Sequence, residues 1–369
     1  MNRRNWLKSA GIIGLFSGVN AFAGSAADSL VREDLNKTYK SLKKDEIPFA
    51  TSSFTDTRIF PKPLKKGARI AVTAPASPAS VGESSAFAKK MKAAGFEVEF
   101  GDTVRKRKSE FNYLSASDEA RAEELMSFFK RDDIDCIFAA RGGYGVMRIL
   151  DMLDFDIIRK NPKIVIGYSD ITALLLAIYK LTSIVCYHGP VASSDFNDFS
   201  YDNMAKQIIA DKMTNTPLEY KSNEYISITK GSSSGRLIGG NLTMVAATLG
   251  TKYEIETKNS IIFLEETREE PYKIDRMLTQ LKVAGKFDNC AGVVLGNFEY
   301  LKSKRNFYPG RSFSTMQVLK DRLGDLKAPV LFGVPFGHMK NKITLPLGGE
   351  AKIDCEKNSF QIIEKSPLI

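Results

Sequence analysis

The sequence predicts an α/β protein whose first half is a mostly parallel sheet covered on both faces, followed by a second half of shorter strands in mixed pairing. Three observations carry that expectation. Apolar strand-like runs alternate with helical patterns from about residue 67 to 195, the rhythm of a parallel sheet with crossover helices. Beyond residue 236 the apolar runs are shorter and only some are separated by helical patterns. A chain of 369 residues with 43% apolar and 26% charged residues suits about two domains with real cores, which excludes a disordered, collagenous or coiled-coil chain.

The elements follow in order. Ala68 to Ala74 is an apolar run closed by Pro75 and Pro78, which suits a buried strand. A helical pattern at 81–94 stops at Gly95, and Phe96 to Phe100 alternates as a strand. A helix at 117–130, a strand at 134–140 and a helix at 145–153 come next, then a strand at 163–168, a helix at 170–181 and a strand at 183–187. Residues 196–235 are polar and contain Gly231-Ser232-Ser233-Ser234-Gly235, the composition of a flexible crossing. The second half, 236–369, places strands at 261–265, 291–297, 330–333, 342–345, 351–354 and 360–363, with helices near 241–249, 271–284 and 313–323.

Residues 1–23 read as an address. Arg3-Arg4-Asn5-Trp6-Leu7-Lys8 precedes a weakly apolar stretch ending in Ala21-Phe22-Ala23, a small-x-small cleavage pattern, and the paired arginines resemble a twin-arginine export signal. Gly11, Gly14, Ser17, Gly18 and Asn20 dilute the stretch below what a spanning helix needs, so a periplasmic protein with no stable membrane anchor is expected. Residues 24–66 are polar and read as a tether with a short helix around 29–43. Removing residues 1–23, with Arg3, Arg4 and Lys8 and no acid, lowers the formal charge from +10 to +7. That charge is scattered and does not point to nucleic acid. Cys136, Cys186, Cys290 and Cys355 are far apart and read as buried free thiols. With two histidines and no CxxC they give no metal-site spacing, so no metal and no cofactor is expected.

The candidate chemistry sits at strand ends. Ile164 to Gly167 turns at Tyr168-Ser169-Asp170 into a helix, which puts Ser169 at the C-terminal end of a parallel strand, where open α/β sheets bind ligands. Ser169 is either a nucleophile aimed at the crevice or a helix N-cap. The Asp170 N–H, at the positive helix end, suits an oxyanion. Arg141-Gly142-Gly143-Tyr144-Gly145 ends another core strand; its glycines allow close backbone approach to a ligand or a tight turn, and no Walker-type phosphate loop occurs. A hydroxyl nucleophile needs a base, and the only histidines are His188 and His338. His188 ends a strand and suits a structural place, whereas His338 lies in the Gly- and Pro-rich loop Gly333 to His338, the kind of segment that carries function. An orienting carboxylate is available from Glu265 or Glu266, which point to opposite sides at the end of an apolar strand.

Six segments taken together, Gly167 to Thr172, Arg141 to Gly145, Tyr187 to Pro190, Gly239 to Leu242, Phe263 to Leu281 and Gly333 to His338, resemble the LD-carboxypeptidase family of serine peptidases, which includes the microcin-immunity carboxypeptidases. The resemblance runs from about 67 to 355. It implies a flavodoxin-like N-terminal domain, a smaller β-rich C-terminal domain, and a site between them. It also implies a Ser169, Glu265, His338 triad, oxyanion donors at Gly143 and Asp170, a homodimer, and release of the terminal D-Ala from murein tetrapeptides. Arg141 and Tyr144 are candidates for binding substrate, Arg141 for its free carboxylate. The rival readings are an inert muropeptide-binding protein on the same scaffold and a family peptidase acting on a peptide-nucleotide antibiotic.

Overall fold

The strand Arg69–Thr73 (β1) has residues that sort by parity into two apolar clusters: Ile70 and Val72 join one, Ala71 the other. The same split recurs in Cys136–Ala139 (β3) and Ile164–Gly167 (β4). Period-two alternation of wholly apolar strands means a sheet buried on both faces. The computed structural model describes residues 58–106, 112–299 and 312–363, all within one compact unit, Phe54–Ile369. The expected export signal and most of the tether lie outside the described residues.

With Glu97–Phe100 (β2), Cys186–His188 (β5) and Leu345–Leu347, the first sheet runs in the order β2-β1-β3-β4-β5 and then Leu345–Leu347; the five N-terminal strands are parallel. This is the flavodoxin-like doubly wound order, whose ligand crevice opens at the C-terminal ends of β1 and β3, where the winding reverses. Helices Ser85–Ala93 (α1), Asp118–Lys130 (α2), Phe155–Lys160 (α3) and Thr172–Thr182 (α4) cover its faces. α4 is apolar on nearly all sides, with Leu174, Leu175, Leu176 and Ile178 buried in a cluster shared with the second sheet. Burying each such side chain stabilises by roughly 1.5–3 kcal/mol, so the helix that follows Ser169 is fixed between the two halves.

The region 196–235 differs from the flexible crossing its composition predicts. It holds the helix Asp198–Ile208 (α5), the strands Leu218–Lys221 (β6) and Ile226–Ser227 (β7), and the start of a ten-residue strand, Ser232–Asn241 (β8). The serine run pairs with Glu350–Asp354, so backbone pairing there overrides a linker-like composition. The described end of the tether also packs: Ile59 and Leu64 bridge to Ile184 and Ile209, and Leu64 is buried.

The second sheet has a parallel centre, β8 beside Ser260–Thr267 (β9), Gly292–Glu299 (β10) and Val330–Phe332 (β11), with antiparallel edges. Helices Leu242–Ala247 (α6), Pro271–Val283 (α7) and Thr315–Leu323 (α8) accompany it. The strand expected at 342–345 forms instead at Leu345–Leu347 (β12) and joins the first sheet, antiparallel to β5. Pro346 has no N–H to donate and suits that edge position. Glu350–Asp354 (β13) and Ser359–Ile362 (β14) complete the second sheet.

Candidate active site

β4 ends at Gly167, Tyr168 stays extended, and Ser169 turns back with φ 65° before a 3₁₀ turn leads into α4. A non-glycine residue in the left-handed region costs on the order of 1–3 kcal/mol, offset by the buried strand and helix on either side. The 3₁₀ turn spans Ser169–Ile171 with Tyr168 at its N-cap, and the α-helix after it is capped by Ile171, so the N-cap alternative does not describe Ser169. Asp170 is buried, and its carboxylate accepts the Val146 N–H at 2.8 Å, tying the segment after Gly145 to the Ser169 turn. Burial pushes its carboxyl up despite that bond and the charge of Arg121. Its own N–H lies in the first turn of a helix, where amides lack intrahelical acceptors.

The Arg141–Gly145 loop lies directly against this turn. A Cβ on Gly142 would stand 2.6 Å from Ser169 Cβ, and one on Gly143, at φ +101°, would stand 2.6 Å from Ser77 Cβ, so neither position accepts a side chain without displacement. Ser77 holds the loop: its N–H donates to Gly142 O at 3.2 Å and its Oγ accepts the Tyr144 N–H at 3.0 Å. The Gly143 N–H finds no acceptor among the described residues. Beneath it Arg121, fully buried, donates to Gly145 O at 2.9 Å and also bonds Pro75 O and Asp118. Neither Ser77 nor Arg121 was singled out from the sequence. Arg121 carried a signal, standing at i, i+4, i+7 with the buried Leu125 and Phe128 on a stripe that should be apolar.

His338 comes from the loop after β11 and Glu265 from β9. His338 Nδ1 lies 2.6 Å from Glu265 Oε2, and the His338 N–H donates to the same oxygen at 3.1 Å. Gly337, at φ +93°, brings that backbone so close that a Cβ would sit 2.6 Å from Glu265 Cγ. Asn297 donates to His338 O at 2.6 Å and fixes the loop from the other side. The Tyr168 ring meets the imidazole edge-on at 4.7 Å. Burial pushes the Glu265 carboxyl up, but the hydrogen bond and charge of His338, with His188, outweigh it and the net direction is down. Glu266 faces the other way, accepting from Thr243 N–H at 2.8 Å, Thr243 Oγ1 at 2.7 Å, Asn241 Nδ2 at 3.1 Å and Thr267 N–H at 2.9 Å. Glu265 is therefore the acid that meets His338.

Ser169, His338, Gly143 and Arg141 line one cavity of about 650 Å³, together with Tyr168, Ser193, Ser194 and Arg268. Arg141 is half-exposed, 3.7 Å from Glu83. Arg268, at φ 63°, is a second cation of the wall that the sequence reading did not name. Tyr144 is not in that wall; its ring rests on Tyr113 at 5.7 Å and its N–H is taken by Ser77. With Nδ1 at an ionised carboxylate, a neutral His338 keeps its proton there and leaves Nε2 bare, able to accept a proton. The arrangement supplies a hydroxyl on a strained turn, an oriented imidazole, and amides beside the hydroxyl. His188 is not in the cavity. It is buried behind Glu265, and burial lowers it to about 4 against the pull of the Glu265 charge.

Such a site at the crevice of a doubly wound sheet, completed by a second sheet, defines a peptidase-like α/β protein. Residues 70–189 match the sequence profile of the LD-carboxypeptidase N-terminal domain, and residues 234–353 match that of its C-terminal domain. The chain belongs to the LD-carboxypeptidase family. It is 35% identical to a probable murein peptide carboxypeptidase of Bacillus subtilis, over 82% of this chain and 93% of that protein. It is 29% identical to the microcin C7 self-immunity protein MccF of Escherichia coli, over 82% of this chain and 95% of that protein. Among solved structures, MccF in complex with aspartyl sulfamoyl adenosine is similar with a TM-score of 0.74 and 26% identity, covering 84% of this chain and 99% of that chain. A muramoyltetrapeptide carboxypeptidase from Oxalobacter formigenes is similar with a TM-score of 0.69 and 29% identity, covering 81% and 100%.

Proposed function

We propose that the protein is an exported serine carboxypeptidase that releases the terminal D-Ala of murein tetrapeptides through an acyl-enzyme. The observation that carries the reading is the 2.6 Å pair of His338 and a fully buried Glu265, its imidazole in the same cavity wall as the strained Ser169. Ser169 attacks the carbonyl of the scissile amide as His338 Nε2 takes its proton. Glu265 stabilises the imidazolium, and the N–H groups of Gly143 and Asp170 receive the oxyanion. His338 then protonates the leaving amine of D-Ala, and water, deprotonated by the same imidazole, hydrolyses the ester. Arg141 and Arg268 are the cations of the wall available for the substrate's terminal carboxylate. The relatives whose names specify murein peptides favour this substrate class over a peptide-nucleotide.

Incubation of the purified protein with a murein tetrapeptide, followed by mass spectrometry, is expected to show loss of Ala. Ser169→Ala is expected to abolish it, and Glu265→Gln to lower kcat by roughly 10³–10⁴. No loss from the wild type overturns the substrate; equal loss from Ser169→Ala overturns the nucleophile. Light scattering on the same preparation checks the proposed homodimer. Export by the twin-arginine route to the periplasm rests on Arg3, Arg4 and the Ala21-Phe22-Ala23 pattern. N-terminal sequencing should find a mature chain starting close to Gly24, and an intact Met1 in a soluble cytoplasmic pool overturns it.

A further inference from the structure

Both close hydrogen bonds of Glu265 go to one oxygen, while the Asn241 amide, bonded to Glu266 at 3.1 Å, also helps to hold the Glu265 carboxyl down. Oε2 takes both the ring and the backbone N–H of His338, while Oε1 is buried with no hydrogen-bond partner. The same is true of one atom of His188: its Nε2 is buried and unpartnered, and it stands 4.0 Å from that oxygen. Two complementary orphans therefore face each other in the interior, where leaving a polar atom unpaired is costly. The gap is longer than a hydrogen bond and closes when ring and carboxylate approach by about 1 Å.

We propose that His188 is a positioning residue of this site: with its proton on Nε2 it donates to Glu265 Oε1 and holds the carboxylate so that Oε2 faces His338. The inference rests on the proposed roles of Ser169, Glu265 and His338. A carboxylate oxygen only accepts, so a bare Nε2 lone pair turned toward it is repulsive; the residue's own backbone carbonyl draws on the other ring nitrogen, but it is neutral where the carboxylate is charged, so the Nε2–H tautomer is the one that fits. The ring is held edge-on among Phe263 at 5.3 Å, Tyr168 at 6.2 Å and Phe336 at 6.3 Å. Its backbone is in register with Gly167 of β4, two residues before Ser169, and with Leu345 of β12. His188 thus links the carboxylate from the second sheet to the strand that carries the nucleophile.

The titratable groups around the pair are His338 on Oε2, the buried Glu266 next along β9, the Tyr168 phenol beside both imidazoles, and Lys342, which stands 5.5 Å over the Tyr168 ring. Burial pushes Tyr168 up and Lys342 down. Removing the His188 donor leaves the carboxylate charge less stabilised, which raises the proton affinity of the coupled Glu265–His338 pair whichever member holds the proton. The acidic limb of the kcat/KM profile should therefore move to higher pH.

The chain has only two histidines, so imidazole ¹⁵N NMR of the wild type reads the tautomer directly. His188 should carry its proton on Nε2 with Nδ1 bare across the neutral pH range; a proton on Nδ1 overturns the proposal even if no murein peptide is cleaved. His188→Phe, a shape the aromatic surroundings admit, should lower kcat about 10- to 100-fold, the worth of one hydrogen bond to a charge, with KM nearly unchanged and the acidic limb raised. His188→Gln should recover part of both. An unmoved limb in His188→Phe, or a Gln variant no better than Phe, means the residue only fills space and overturns the assignment.

Discussion

Glu265 and Glu266 are adjacent acids with different partners because β9 is pleated: one side chain turns to the His338 loop and the next to the start of α6. Burial drives Glu266 up, while hydrogen bonds from Thr243, Thr267 and Asn241 pull against it. Glu266→Ala should therefore destabilise the fold by about 1–3 kcal/mol, the cost of leaving buried donors unpaired, read as a lower urea midpoint. Its loss of kcat should be far smaller than that of Glu265→Gln; a catalytic loss of equal size would show that the two acids act as one unit. The sequence was informative about Ser169, His338 and the acid pair because strand-end turns and glycine-rich loops mark themselves locally. It could not separate the two acids, since either face of a strand end is available until the partner loop is known. Ser77, Arg121 and Asn297 were illegible for another reason: they act on backbone atoms 65, 24 and 41 residues away, and no local pattern encodes such a contact.

At the level of elements, the parallel half was legible because wholly apolar strands such as Ile164–Gly167 and long helices such as Asp118–Lys130 carry strong periodicity. The helix expected over 145–153 is shorter, Val146–Ile149 followed by a 3₁₀ turn, and Phe155–Lys160, capped by Asp154, went unread because six residues hold less than two turns of pattern. The Ser-rich start of β8 and the three-residue β12 share a cause. Each is a strand because of the neighbour it finds, β13 for one and β5 for the other, and not because of its own composition. β12 also bears on the site, since it holds His188 from the open side of β5. An element from the second half thus steadies a residue of the first, and the boundary read from composition near 196–235 does not separate the contacts that build the site.

For the whole molecule the consequence is a pH dependence of stability with a definite sign. The unfolded chain binds a proton at His188 below its ordinary value of 6.5, whereas the folded chain, with His188 buried, does so only below about 4. Between those values the unfolded state holds more protons, so stability rises with pH across the window and is lost as pH falls through it, by up to about 3 kcal/mol. Buried Asp170 and Glu266, both pushed up, act in the opposite sense near the lower end of the window, because there the folded state binds more protons than the unfolded one. Exposed or paired acids held down, such as Asp118 and Glu99, matter only below their ordinary range. These acids are shared with His188→Gln, and a rise in the proton affinity of the folded Glu265–His338 pair in the variant acts in the same direction, so the comparison reads the loss of the imidazole together with its effect on that pair. Urea unfolding of both proteins at about pH 4.5 and about pH 7 should show the wild type losing more stability on acidification than the variant. Equal losses would mean that His188 takes up its proton in the folded state as readily as in the unfolded one, which its burial opposes.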